Sequence, residues 1–457
     1  MRWRVANCFR ERRFETVQRQ YTVTAITATA PPAPTLSDEA PDPHVDATGP
    51  PFDNDRSGPL EALRDRNFAK FWATFTLSMT GTWVRITAMG VLVYDLTGDP
   101  FKLGLMSFAQ AVPELVAGPI AGAYLDRVDR RKVIVATQLL ALAATALLTV
   151  IVYAGTVEFW HLLAIGALLG LVAGFDWPAR LALVPSLVPR RELQSAIALN
   201  MAGFNGARII GPTIAGWTIA GLGIAACFAF TTIAIVPMLL IVMTLTVVRP
   251  RIAPVADAAK PMIMLKEGYR YIWRTPRIRG LLSVDIVPIA LGMSYSTMAP
   301  AIAQDVLHLP DGGLGWLLGT VGVGSLLGTI AVALLSGSRH RGMIVIAAVA
   351  AFGMTVAIFG LSSNPWVSFP VAFFIGMVWA IYSTMGDTLV QTNVDEDYRG
   401  RVVSVQSMLW GLTPIGGLLA GVLASLIDVQ WAVAINGALI LCYVPYLWLC
   451  TPVRHLR

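Results

Sequence analysis

Twelve apolar runs, each 19 to 29 residues long, alternate with short loops, and the basic residues crowd into every second loop. A bilayer-spanning helix needs about 20 apolar residues, and in lipid every backbone polar group must be satisfied within the segment. The runs lie near 68–96, 103–124, 133–154, 160–184, 195–217, 222–248, 280–304, 314–337, 343–361, 366–390, 402–426 and 429–449. One set of loops, with the C-terminal tail, contains twenty Lys and Arg, and the intervening set contains Lys102 alone. Basic loops stay in the cytoplasm, so both termini are expected there. The fold class is therefore all-α integral membrane, with twelve transmembrane helices, located in the cell (inner or plasma) membrane with the lipid bilayer as its first partner.

The longest loop of the membrane part, 249–279, holds eight of the twenty basic residues and divides the runs six and six. Its KEGYRYIWRTPRIR stretch has the pattern of an amphipathic helix on the inner leaflet. Expected domains are a disordered cytoplasmic extension at 1–66, a six-helix bundle at 67–248, the connector at 249–279, a second bundle at 280–450 and a tail at 451–457. The extension combines six arginines in its first twenty residues with a Pro-, Ala- and acid-rich segment that cannot bury a core. A shift of 205 residues places Gly211 on Gly416 and Gly216 on Gly421, a weak internal repeat in register with two pseudo-symmetric halves.

Several function classes drop out. Charged residues make up only 14% of the chain against 55% hydrophobic, and the basic excess is explained by topology, so no nucleic-acid partner is expected. Cys8, Cys227, Cys442 and Cys450 form no C-x-x-C pair, which leaves neither a disulfide framework nor a metal site. Neither H-E-x-x-H nor G-x-x-x-x-G-K-[ST] occurs. The chain is expected to be no enzyme, with no cofactor and no ATP hydrolysis.

The strongest local signal is Gly122, Asp126, Arg127, Asp129, Arg130 and Arg131 between runs two and three. Basic residues alone would set topology. The interspersed acids point further, to a conformational latch. Asp176 and Arg180 stand four apart at the end of run four, where they share a helix face. Asp387 stands at the end of run ten, and Arg399 and Arg401 follow it. With Asp285 these residues lie toward the cytoplasmic ends of their runs, and latching is favoured for them over substrate contact. Run five carries Gly203, Gly206, Gly211, Pro212 and Gly216, small residues that let helices approach and a proline that removes a backbone bond.

The G-x-x-x-D-R-x-D-R-R stretch resembles the loop 2–3 signature of the major facilitator superfamily, with Asp129 where that pattern more often has Gly. The segments from Asp176 to Leu193 and from Asp387 to Val402 resemble the enterobactin-exporter-like branch, the transmembrane secretion effectors. The resemblance covers about residues 60–450 and implies the major facilitator fold. The Gly211-Pro212 pair is similar to a motif of the superfamily's proton-coupled drug exporters, although the usual Gly-Gly ending is only Gly216-Trp217. In the superfamily the first, fourth, seventh and tenth spans line the central cavity. The resemblance thus implies Trp83, Phe175, Tyr295, Trp379 and Tyr382 as cavity aromatics, with lipid-facing or interfacial rings as the alternative.

Arg85, Glu114 and Arg208 fall near the middles of runs one, two and five. Each ionised group there costs roughly 2.5–3.5 kcal/mol unless paired or hydrated. The economical arrangement places Glu114 beside Arg85 or Arg208. One acid with two bases leaves a positive charge for an anionic substrate group, and Glu114 is the candidate proton carrier. A permanent ion pair accounts for the same residues. The expected function is secondary active transport by alternating access: proton-coupled efflux of a siderophore, drug-like or secondary-metabolite compound, with a monomer sufficient. The alternatives are a solute importer on the same fold and, less well supported, a membrane sensor without transport.

Overall fold

The computed structural model describes residues 58, 60–125, 128–245, 261–310, 312–335 and 337–456. Most of the extension therefore lies outside the described residues. Its last part is folded: a 3-10 turn at Glu61–Arg64 buries Ala62, whose N–H donates to the Ser195 hydroxyl at 3.4 Å. Ser57–Arg457 form one compact unit.

Among the described residues every regular element is helical. The first six helices are α1 (Arg66–Thr97), α2 (Pro100–Leu125), α3 (Arg130–Tyr153), α4 (Phe159–Leu183), α5 (Leu193–Leu222) and α6 (Ile224–Thr244). The connector contributes α7 (Pro261–Arg274). There follow α8 (Pro276–Val287), α9 (Ser294–Ala301), α10 (Gly313–Leu335), α11 (Arg341–Leu361), α12 (Pro365–Asn393), α13 (Glu396–Leu409), α14 (Thr413–Leu426) and α15 (Val429–Cys450). Local chemistry sets several of these ends. The Asp65 carboxylate accepts the Asn67 and Phe68 N–H groups at 2.7 and 2.9 Å and starts α1, which Gly98 closes in the left-handed conformation at φ 57°. Asn364 caps α12 with Pro365 in its first turn.

Two runs depart from single α-helices. Run seven is α8 and α9 joined and extended by π-helical segments at Pro288–Gly292 and Ile302–Val306. Run eleven is broken: α13 ends in a 3-10 turn at Trp410–Leu412, and α14 begins with Pro414 in its first turn, where a missing N–H costs nothing. By length and composition, nine helices among the described residues are long and apolar enough to cross a membrane. The other three runs are α1 and α5, whose 32 and 30 residues are diluted by polar positions such as Arg85 and Asn205, and the broken run eleven.

Helices α1–α6 meet the later helices along two close seams, α2 on α14 and α5 on α10. A Cβ at Gly104 would lie 2.6 Å from the Gly417 carbonyl, and one at Gly216 would lie 2.5 Å from that of Gly312. Only glycine permits backbones this near. The ends away from the basic loops are tied as well. Tyr94 donates to Asp305, Gln304 donates to Asp95 at 2.7 Å, and Trp217 packs edge-on to Trp316 at 5.4 Å. At the basic end α7 docks on the later helices. Tyr271 stacks on Tyr398 at 4.3 Å and donates to Asp395 at 3.1 Å, while Glu267 pairs with Arg401 at 3.1 Å.

Candidate functional site

Arg208 stands midway along α5, and its guanidinium lies over the Trp379 ring of α12, 4.1 Å from the centroid. Tyr295 of α9, buried and packed edge-on to Phe359, is its electrostatic neighbour. Trp379 donates its indole N–H to the Tyr382 hydroxyl one turn away. Tyr382 is 1% exposed, packed against Phe352, and within electrostatic reach of Asp285 and Tyr295. The helices at this point come from both halves of the sequence, and Arg208 and Trp379 sit near mid-length of their runs. Among the described residues no carboxylate lies within 4.0 Å of Arg208. A cation–π contact contributes about 0.5–2 kcal/mol. That offsets only part of the roughly 2.5–3.5 kcal/mol cost of a charge at mid-membrane depth.

Arg85 and Glu114 are held separately from Arg208. Arg85 is buried, and its guanidinium donates to the Met89 sulfur at 3.2 Å. Glu114 is its electrostatic partner, yet no ion pair within 4.0 Å joins them. Glu114 stands at an accessible position of α2. Of the two neighbours expected for Glu114, Arg85 is its electrostatic partner, and Arg208 stands apart among aromatics.

The latch residues likewise do not converge. Asp126 and Arg127 lie outside the described residues, as does the side chain of Arg399; Gly122 lies in α2. The Asp129 side chain accepts the Arg131 N–H at 3.0 Å and caps α3, a local duty that explains an acid at this position. Arg130 donates to the Ala182 carbonyl of α4 at 2.8 Å, and Arg401 pairs with the connector's Glu267. Asp176 and Arg180 form a buried ion pair at 2.6 Å with side chains 9% and 2% exposed. Thr137 and Gln138 of α3 donate to Asp176 at 2.8 and 3.0 Å, and Arg180 donates to Ser78 of α1 at 3.4 Å. This cluster rivets α1, α3 and α4 together and lies wholly within the first six helices.

A counterpart in the later helices is one that sequence reasoning missed. The Gln406 amide of α13 donates to Asp387 of α12 at 2.8 Å and to Asp285 of α8 at 3.2 Å. Asp285 is buried and Asp387 exposed, and no cation pairs with either among the described residues. The available signal was a lone Gln in an apolar run opposite two acids. The Tyr94–Asp305 and Asp95–Gln304 contacts were also missed, because nothing in a single helix marks which polar end-group faces a distant one.

The glycines of α5 differ among themselves. A Cβ at Gly203 would collide with Thr76, one at Gly211 would lie 2.5 Å from the Trp83 Cβ, and Gly216 abuts Gly312. Gly206 has nothing within 4 Å and is not a packing glycine; it faces away from the neighbouring helices. Pro212 is accommodated without ending the helix. Of the five aromatics, Tyr295 and Trp379 lie at Arg208. Trp83 packs on Phe204 at 6.3 Å and Phe175 joins the same apolar cluster of the first six helices. Tyr382 is core.

A family model described as transmembrane secretion effector matches residues 57–455. The chain belongs to that family. Macrolide efflux protein A of Streptococcus pyogenes is 22% identical over 82% of this chain and 93% of its own length. The multidrug efflux pump Tap of Mycolicibacterium fortuitum is 28% identical over 75% of this chain and 86% of its own. A mutant of the nucleoside transporter NupG superposes with a TM-score of 0.69 at 11% identity, covering 84% of this chain and 99% of that one. The protein is thus a transporter of the major facilitator superfamily and not an enzyme, and its fold is that of the superfamily.

Proposed function

We propose that the transporter exports a siderophore, drug-like or secondary-metabolite compound by alternating access, in exchange for protons. Helices α1–α6 and α8–α15 act as two bundles of six spans each, with both termini in the cytoplasm of the cell in whose plasma membrane it sits. A monomer suffices, because both walls of the central site come from one chain. The observation that carries this reading is the contact of Arg208 on α5 with Trp379 on α12, a mid-depth meeting of the two bundles. Substrate bound there senses both bundles, as alternating access requires. The ties at the end away from the basic loops, Tyr94 with Asp305 and Gln304 with Asp95, support a state closed to the outside. The efflux direction is supported by relatives named as efflux proteins.

Glu114, exposed and near buried Arg85, is the first candidate for the proton. A carboxylate whose access to water changes as the bundles rock, beside an arginine of its own bundle, alternately holds and releases a proton. The Asp285–Gln406–Asp387 group supports a second location, since two acids there share one amide donor and no cation. The test is uptake into proteoliposomes under an imposed pH gradient, with a panel of lipophilic cations, organic anions, siderophores and antibiotics. Gradient-driven transport that Glu114→Gln reduces at least tenfold, in protein that remains monodisperse, places the proton at Glu114. Transport that Asp285→Asn abolishes and Glu114→Gln spares places it in the later helices. No gradient-dependent movement of any compound removes the proton-coupled reading.

A further inference from the structure

Arg85 and Arg208 are both mid-membrane arginines, but only Arg85 has an acid for an electrostatic partner. Arg208 has the face of Trp379 and the neighbourhood of Tyr295, with no carboxylate within 4.0 Å among the described residues. The cation–π contact leaves part of the cost of burying that charge unmet. A structural arginine would be expected to carry a permanent counter-ion, as Arg180 does with Asp176 at 2.6 Å. Arg208 lacks one at the point where the two sets of helices meet, which is where a transported molecule must stand.

We propose that Arg208 docks an anionic group of the exported compound, and that this compound is an amphipathic organic anion whose flat apolar part shares the Trp379 and Tyr295 wall. The inference rests on the central-site reading above and adds the substrate's charge and shape. A guanidinium presents a planar fork of donors that matches a carboxylate or sulfonate in two parallel hydrogen bonds. The neighbouring aromatics offer area to rings. Because the partner charge arrives with the substrate, the site is neutral when loaded and charged when empty. Loading thus lowers the cost of moving the site through the closed intermediate. Export of an anion also runs with an inside-negative membrane potential, and exchange for a proton moves charge in the same sense.

The experiment uses the full chain in lipid nanodiscs and a matched probe pair, radiolabelled 2-naphthoate and 2-naphthylmethylammonium, which share a ring system and differ in charge. Saturable naphthoate binding at least tenfold tighter than that of the ammonium probe, weakened tenfold or more by Arg208→Gln and kept within about threefold by Arg208→Lys, supports the proposal. Trp379→Ala should weaken it severalfold without reversing the charge preference. Equal binding of the two probes by the wild type, or a preference for the ammonium, overturns it with no variant needed. Retention of naphthoate affinity in well-folded Arg208→Gln overturns it as well. The broader reading is tested separately by gradient-driven efflux of ethidium from proteoliposomes. Efflux of that cation, insensitive to Arg208→Gln, sinks the anion proposal and leaves the exporter standing.

Discussion

The two sets of helices solve the same problem differently. In the first set, Asp176 near the end of α4 meets Arg180 one turn later, and the pair is buried with Thr137, Gln138 and Ser78 as hydrogen-bond partners. In the second, Asp387 near the end of α12 is followed four residues later by Gln391. It shares the Gln406 amide with Asp285 instead. One cluster is neutral and closed. The other concentrates two acids on one neutral donor. A buried pair with hydrogen-bond partners on two further helices is held in place, whereas acids without a counter-ion can change protonation as their surroundings change. The comparison assigns rigidity to the first cluster and leaves the second free to respond.

The largest expected effect breaks the closed cluster. Arg180→Gln leaves the Asp176 carboxylate buried without its cation, and breaking such a pair costs about 3–5 kcal/mol. It should appear as a lowered thermal midpoint and reduced folded yield by fluorescence-detected size exclusion. Asp176→Asn/Arg180→Gln should recover part of the loss, since removing both charges removes the uncompensated one. If Arg180→Gln is as stable as the wild type, the rivet description fails. Asp285→Asn should behave oppositely. It keeps an acceptor for Gln406 and removes repulsion, so stability should change by less than about 1 kcal/mol. If the second cluster carries the proton, gradient-driven transport should fall at least tenfold while binding persists.

How much of this was legible beforehand follows from what a helix sequence can and cannot encode. Runs such as 343–361 sit almost on the observed Arg341–Leu361, because length and apolarity alone mark a span. The faces were not legible. A span apolar all round has no moment to say which side meets a neighbour, so Gly206 and Gly211 read alike, yet only Gly211 meets a neighbour, Trp83. Arg208 was recognised as a mid-span charge, but its aromatic surroundings depend on how α5 and α12 are rotated. The Asp129 cap and the break at Trp410–Leu412 are settled by local backbone geometry that a run of apolar letters does not show.

A gain of charge sharpens the comparison further. Gln391→Arg gives the second cluster the spacing of the first, an acid with an arginine one turn on. Asp387 and Gln391 are exposed, so the new pair should add only about 0.3–0.5 kcal/mol. Its larger consequence should be functional, because a fixed cation competes with the proton for Asp387. Proton-coupled transport should slow severalfold while substrate binding stays within twofold. Unchanged coupling would mean that Asp387 does not take part, and would leave Asp285 or Glu114 as the proton site.

The smallest effect tests whether the closed cluster is a chain of equal links. The Arg180–Ser78 hydrogen bond is long, at 3.4 Å, against 2.6 Å for the ion pair and 2.8 Å for the Thr137 bond. Hydrogen-bond strength falls steeply with such stretching, so Ser78→Ala should lower stability by no more than about 0.5–1 kcal/mol. Thr137→Val removes a short bond to a carboxylate and should cost about 1.5–3 kcal/mol. The thermal midpoints should therefore order as wild type, Ser78→Ala, Thr137→Val, Arg180→Gln. If Ser78→Ala equals Arg180→Gln, the cluster is held by its tie to α1 and not by the ion pair. The contrast with the acids around Gln406 would then rest on helix packing and not on charge.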